Sequence, residues 1–300
     1  MKAYFYTGLF LMLIAYSNII AQETSLFKIN QVSIQPFLSQ GTSHFMTNDE
    51  FQKLTDGNHG LPQDLLNSIG TENSYYYGWY GPSNFGLNAN VGIQIRSNET
   101  NGYRRNVKLR AGIQFHNVHL SSNAARVEYK SRVDTLKSSS NNAVSYVDSI
   151  ERKTAYFSKK AEMLNLDAAL IFHTDQSQQW SLFGGLGLSF GASINAYTEV
   201  DYLNVNNLEI SGNYDAINST FYSSSGWNNE YSRFENKANF TGIVYMPMGV
   251  DMRLGNHKEF WKRLHLFYEF RPSLVFHHAP EIGTINTFSL SHGLGLNVRF

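Results

Sequence analysis

The sequence predicts an all-β protein: an eight-stranded antiparallel transmembrane up-and-down barrel with long extracellular loops. Three observations predict it. Eight segments alternate apolar and polar side chains with the period of two that a pleated strand imposes. Long connections alternate with short ones, as the two ends of an even-numbered membrane barrel require. The polar faces are rich in Gly, Ser and Asn with isolated charges, whereas a solvated exterior carries more Lys and Glu. A soluble exported barrel is the rival reading, because alternation alone does not say which face is inside.

Composition narrows the possibilities. The chain has 300 residues with 24 Lys and Arg against 24 Asp and Glu. Formal neutrality leaves no basic surface to release counterions from phosphate, which argues against a nucleic-acid partner. Eighteen Tyr, 21 Phe and 23 Gly suit many short-turned strands. The chain has no Cys, which removes disulfides, thiolate metal sites, a thiol nucleophile and an acylated cysteine after a leader. No cofactor is implied.

Lys2 precedes an apolar run from Ala3 to Ile20, and Ala21 precedes polar Gln22, Glu23 and Thr24. That order fits a secretory signal occupying 1–21 and cut after Ala21, leaving 22–300 as one barrel domain. A retained anchor helix is the alternative. No second apolar run of about 18 residues follows, so further spanning must be by strands.

The first strand is expected near 29–38, with Val32, Ile34 and Leu38 alternating against Ser33 and Gln35 and weakened by Pro36. The connection after it carries two helix signatures. Thr47 and Glu50 form a capping box before Phe51 and Leu54, with Gly57 as a stop. Pro62 opens a second turn before Leu65, Leu66 and Ile69, closed by Gly70. The second strand, 84–96, sets Phe85, Leu87, Ala89, Val91 and Ile93 against Gly86, Asn88, Asn90, Gly92 and Gln94. After a polar turn at Ser97 to Gly102, the third spans 104–136, with Val107, Leu109, Ile113 and Phe115 on one face. Its partner, 144–173, carries Leu164, Leu166 and Leu170. Both arms far exceed a bilayer, so this hairpin should project beyond it.

The fifth strand, 180–198, presents Trp180, Leu182, Leu186, Leu188 and Phe190. A Tyr-, Asn- and Ser-rich stretch fills 197–239. The sixth, 240–254, carries Val244, Met246, Met248, Val250, Met252 and Leu254. The seventh, 264–276, carries Leu264, Leu266, Tyr268 and Phe270. His277 to Thr284 then connects to the closing strand, 286–300. There Phe288, Leu290, Leu294, Leu296, Val298 and Phe300 share one face, interrupted only by His292.

Phe288 to Phe300, ending on phenylalanine, resembles the carboxy-terminal assembly signal of bacterial outer-membrane barrels. The mature chain is similar in pattern to small eight-stranded barrels of the OmpA and OmpX type, and its loop length and Tyr/Asn-rich composition resemble such barrels from Bacteroidetes. The resemblance implies a location in a Gram-negative outer membrane, with the lipid bilayer and the assembly machinery as partners. No motif of a functional subfamily is matched.

Within such a barrel, Lys108, Arg110, Asp167, Asp251, Glu269 and Arg271 would face the lumen, with the two cations of the third strand pairing with Asp167, Asp251 and Glu269. An eight-stranded barrel is just wide enough for side chains, which favours a plug over a conduit. Tyr75, Tyr76, Tyr77, Trp79 and Trp227 are loop aromatics suited to binding a glycan or protein, or to interfacial girdles and loop packing. His277, His278 and Glu281 suggest metal ligands, but adjacent histidines on an extended chain point to opposite sides. A lipid-modifying enzyme would need a nucleophile and base to converge. Ser289 and Ser291 lie near His292 in sequence, yet Ser291 and His292 fall on opposite faces. The expected function is therefore a non-enzymatic surface protein whose loops bind an unknown extracellular or envelope partner or support the envelope. A small-solute channel is the alternative.

Overall fold

The computed structural model describes residues 27–41, 44, 46–55, 61–69, 74–76, 84–97, 102–103, 107–137, 144–174, 178–212, 223–255 and 257–300. The expected leader, 1–21, lies outside the described residues. In chain order the strands are β1 (Phe27–Gly41), β2 (Ser74–Tyr76), β3 (Asn84–Ser97), β4 (Gly102–Tyr103), β5 (Val107–Lys137), β6 (Val144–His173), β7 (Trp180–Gly212), β8 (Ser223–Glu235), β9 (Phe240–Tyr245), β10 (Met248–Arg253), β11 (Leu264–Ala279) and β12 (Gly283–Arg299). Short helices α1 (Asn48–Leu54) and α2 (Gln63–Ser68) follow β1, and α3 (Glu259–Arg263) precedes β11.

The ring runs β1, β3, β5, β6, β7, then β9 and β10 end to end, β11 and β12, every pairing being antiparallel. β12 closes on β1, with Gln31 opposite Arg299 and Gly41 opposite Ser289. Eight positions around the ring are thus filled, as the alternation predicts. The sixth is divided where a continuous strand was expected. Pro247 lacks the amide hydrogen a ladder needs, so the strand is interrupted at Met246 and Pro247 between β9 and β10, although Met246 N–H still donates to Pro272 O at 3.0 Å.

The ring decides which face is inside. Leu166, Phe190 and Leu186 are 71 %, 63 % and 58 % exposed on the outside, and Leu182, Leu274 and Leu294 share that face. Their neighbours in sequence, Asn165, Asp167, Ser189, Ser273 and Gly293, point inward and are buried. A continuous apolar belt of this extent around a polar interior is the pattern of a barrel in lipid. No helix among the described residues is long and apolar enough to cross a membrane.

The interior is not uniformly polar. Ala169, Ile171, Phe183, Ile243, Tyr245, Phe267 and Val275 form an apolar cluster on the side built by β6, β7, β9 and β11. Its rings depend on glycine. A Cβ at Gly187 would stand 2.2 Å from Cζ of Tyr245, and one at Gly295 would stand 2.4 Å from Cζ of Phe267. The small residues of the inward face are therefore seats for aromatic rings from neighbouring strands.

At the end opposite Phe27 and Arg299, β5, β6 and β7, of 31, 30 and 33 residues, run on past the ring. A tilted strand crosses a bilayer in roughly 9–11 residues, so about two thirds of each lies beyond it. β8 pairs with β7 to widen this projecting sheet, and β2 touches β5 near Ala125. The outer face of the sheet is an ion-pair lattice. Glu128 accepts from Arg126 (2.7 Å) and Arg152 (3.1 Å), and Lys130 joins Asp148 (3.3 Å) and Glu209 (2.6 Å).

The inner face carries a second core. Phe51 and Leu54 of α1, and Leu65 and Leu66 of α2 pack with Met46 against Ala125, Ala155, Phe157 and Val200. Phe51 and Phe157 meet with ring centroids 5.1 Å apart. The capping box forms as expected, Glu50 N–H donating to Thr47 Oγ1 and Thr47 N–H to Glu50 Oε2. The expected stops Gly57 and Gly70 lie outside the described residues. Ile282, at the tip of the β11–β12 hairpin, also packs against this core, which carries the helical layer across toward the barrel.

Candidate functional site: the lumenal network and the layer above it

The alternation of β5 and β11 sends Arg110, Glu269 and Arg271 to the barrel interior. Glu269 is fully buried and accepts from Arg110 at both ends, Nη1 to Oε2 at 2.5 Å and Nη2 to Oε1 at 3.1 Å. Arg271 Nε donates to the same carboxylate. Arg271 Nη2 also donates to Gln35 Oε1 at 3.1 Å, and the Asn88 amide, turned so that its oxygen faces Arg271, accepts from both Nη atoms at 2.9 Å. Gln35 Nε2 donates across to Gly293 O. One carboxylate and two guanidiniums thus tie β1, β3, β5, β11 and β12 together across the lumen. Such buried charge is tolerable only with this density of partners.

The other expected lumenal residues are also buried inside the ring, but with partners different from those anticipated. Lys108 meets no carboxylate within ion-pair distance among the described residues and donates to Gln31 Oε1 at 3.0 Å. Asp167 accepts from the Tyr245 hydroxyl at 2.7 Å instead of from a cation. Asp251 takes His265 Nδ1 (2.6 Å), Arg299 Nη2 (2.9 Å) and Asn297 Nδ2 (3.4 Å). The reason is height. Residues on the inward face of one strand sit two apart, so a cation meets whichever group the register places at its own level. Tyr245, Gln35, His265 and Arg299 were overlooked as partners, although their inward parity is readable from the alternation.

The connection expected from His277 to Thr284 is shorter than anticipated. β11 extends through Ala279 and β12 begins at Gly283, whose φ of +84° makes the tight turn that glycine permits. His277 is consequently a buried inward residue opposite Ile285, while His278 faces out and contacts Thr284 Oγ1. Glu281 sits at the tip and accepts from Lys159 at 3.1 Å and from Lys237 N–H at 2.8 Å. These three residues do not form a metal site, and no cluster of three ligating side chains occurs among the described residues. Ser291 is buried and His292 is exposed beside Tyr268, so no hydroxyl–imidazole pair forms there.

On the closing strand, Phe288, Leu294 and Leu296 are exposed on the outer face, and Leu290, Val298 and Phe300 are half-buried. Phe300 N–H donates to Asn30 O at 2.9 Å, which fastens the end of the chain to β1. Of the loop aromatics, Tyr75 and Tyr76 lie in β2 and Trp227 in β8. Tyr77 and Trp79 lie outside the described residues.

The projecting layer has its own electrostatics. Asp64 of α2 accepts from the Tyr129 hydroxyl (2.5 Å) and Lys153 (3.2 Å). The Tyr129 bond, opposed by burial and aided by Lys153, holds the Asp64 carboxyl below its ordinary value. Burial pushes Glu281 upward, but the Lys237 N–H and the Lys159 ammonium outweigh it, and the net direction is down. Lys159, whose side chain is fully buried, is pushed down by desolvation despite Glu281 beside it.

No protein-family profile and no curated protein sequence matches this chain. Among solved structures it is similar to Neisserial surface protein A at 11 % identity, over 92 % of this chain and 98 % of that one, with a TM-score of 0.32. It is also similar to Ail, the attachment invasion locus protein of Yersinia pestis, at 11 % identity over 91 % and 99 % of the two chains, with a TM-score of 0.23. The translocator domain of the autotransporter NalP from Neisseria meningitidis matches at 12 % identity over 100 % and 97 %, with a TM-score of 0.20.

Proposed function

We propose that this chain is a non-enzymatic surface protein of a bacterial outer membrane, in which the barrel is the anchor and the projecting sheet with its helical layer is the working part. One observation carries this reading: the lumen is crossed by the Arg110–Glu269–Arg271 network while three strands continue far past the apolar belt to build a separate core. A conduit has no use for that second core, whereas a surface that must hold a fixed shape outside the membrane does. The bilayer and the assembly machinery are the expected partners of the barrel, and a ligand or partner of the envelope or the exterior that of the layer.

Fractionation combined with heat-modifiable gel migration tests the location, a folded barrel running faster than the boiled chain. Planar-bilayer recording tests the anchor role, with large stable conductance steps counting for a channel instead. Excising 40–80, 120–160 and 200–238 tests the surface role: unchanged surface behaviour in a barrel that still assembles would remove it.

A further inference from the structure

Above the ion-pair network, toward the helical layer, the barrel interior widens into a cavity. Its atom-free space is about 800 Å3 when the open mouth and the solvent there are counted, and the enclosed part is much smaller. Arg271 and Tyr245 lie at its floor, and Gly41, Asn84 and Thr287 stand near its rim.

The walls are built from polar groups that carry no charge. His116 of β5 and His277 of β11 are both more than nine-tenths buried, and the Nδ1 atom of each has no hydrogen-bond partner among the described residues. Ser273 and Ser291 each donate to Arg271 O, and Ser39 and Ser289 share a 2.7 Å bond. A hydroxyl that has donated keeps acceptor capacity, so these walls remain open to a ligand's O–H groups. Between these groups stand Phe37, Val118 and Val275, which offer apolar surface. Buried polar atoms of this kind are normally satisfied by something, water or ligand.

The chemistry selects among occupants. A free anion finds no spare cation, because every terminal nitrogen of Arg271 is already engaged by Glu269, Gln35 and Asn88. A metal ion finds His116, His119 and His277 on the walls, but no three ligating side chains converge on one point among the described residues. A hydrocarbon would leave the Nδ1 atoms of both histidines unpaired. We propose that this cavity is a binding site for a neutral, hydroxyl-rich solute of monosaccharide size, held by His116, His277 and the serine hydroxyls with its C–H face against Phe37. This goes beyond the surface role proposed above and does not depend on it.

The test uses the folded full-length protein in detergent, verified by heat-modifiable migration, with glucose and galactose as neutral probes and glucose 6-phosphate as the anionic comparator. Saturation-transfer NMR and calorimetric titration are the readouts. A neutral sugar is expected to bind saturably. His277→Phe and His116→Phe should each weaken it about tenfold, the scale of one lost buried hydrogen bond. His277→Gln, which keeps a polar atom at the position, should weaken it less and guards against a misfolded Phe variant. Absence of saturable sugar binding overturns the proposal, as does binding insensitive to both Phe variants in folded protein or a preference for the phosphate.

Discussion

Arg110 and Glu269 meet across the barrel as a bidentate pair, guanidinium plane to carboxylate, at 2.5 and 3.1 Å. Their strands are far apart in sequence, so the pair forms only when the ring closes. Glu269 also serves Arg271, so its removal leaves two buried cations facing each other. Glu269→Gln is therefore expected to destabilise the barrel by about 3–5 kcal/mol, the cost of stranding buried charge. Replacing Arg110, Glu269 and Arg271 together with apolar residues should cost much less, because no buried charge is left without a partner. Urea unfolding in vesicles measures both, and equal losses in the two variants would remove the argument.

The tether between the hairpin tip and the projecting sheet predicts an asymmetry. Lys159 has no exposed side-chain surface and Glu281 has 9 %. Glu281→Gln strands a buried ammonium and is expected to cost about 3 kcal/mol. Lys159→Met removes that ammonium and leaves Glu281 with the Lys237 N–H, so its cost should be the smaller. A double-mutant cycle read by hydrogen exchange over 46–69 checks the order, which a purely exposed pair would not show.

Acid should loosen the helical layer before the barrel. Asp64 and Glu281 have folded-state pKa values below their ordinary 3.8 and 4.5. A depressed carboxylate contributes stability that is complete above the unfolded value and disappears as pH falls through the folded one. Attachment of α2 and the hairpin tip is thus expected to be full above about pH 5 and to fade below about pH 4. Exchange at 61–69 should rise in that window in wild type and stay flat with pH in Asp64→Asn/Glu281→Gln, which is already loosened at neutral pH.

Much of the barrel was legible because lipid and a narrow interior enforce strict alternation, and Leu186/Gly187/Leu188/Ser189 in β7 reads one way only. The inward parity of Arg110, Asp167 and Glu269 followed from the same rule. Which partner each would meet did not, because level in the lumen depends on stagger between strands, and parity is silent about stagger. The pairing of Asp167 with Tyr245 shows this. The second core was half visible: the capping box of Thr47 and Glu50 announced α1, but nothing local to Phe51 says that Phe157, a hundred residues on, will cover it. The break at Pro247 was written in the residue itself and was masked by the unbroken alternation of Val244, Met246 and Met248 around it. His277 falls in a connection on the sequence pattern, whereas β11 runs on through Ala279 because the positive φ of Gly283 lets the chain turn tightly.

The closing strand carries the sharpest test of the anchor. Leu296 faces outward at 45 % exposure, paired with Ile34 of β1 and Leu266 of β11 on the same face. In water that face gains by carrying charge; in hydrocarbon it loses. Leu296→Arg should therefore cost about 2–4 kcal/mol if the position lies near the bilayer midplane, falling toward zero near an interface. Deleting Phe300 removes the N–H that fastens the strand to Asn30 and shortens the terminal aromatic pattern. Both variants are expected to be exported yet to remain unassembled, with loss of the heat-modifiable band and of protection from external protease. If both insert normally, the apolar face does not meet lipid, and the barrel belongs to the soluble class with its loops reinterpreted accordingly.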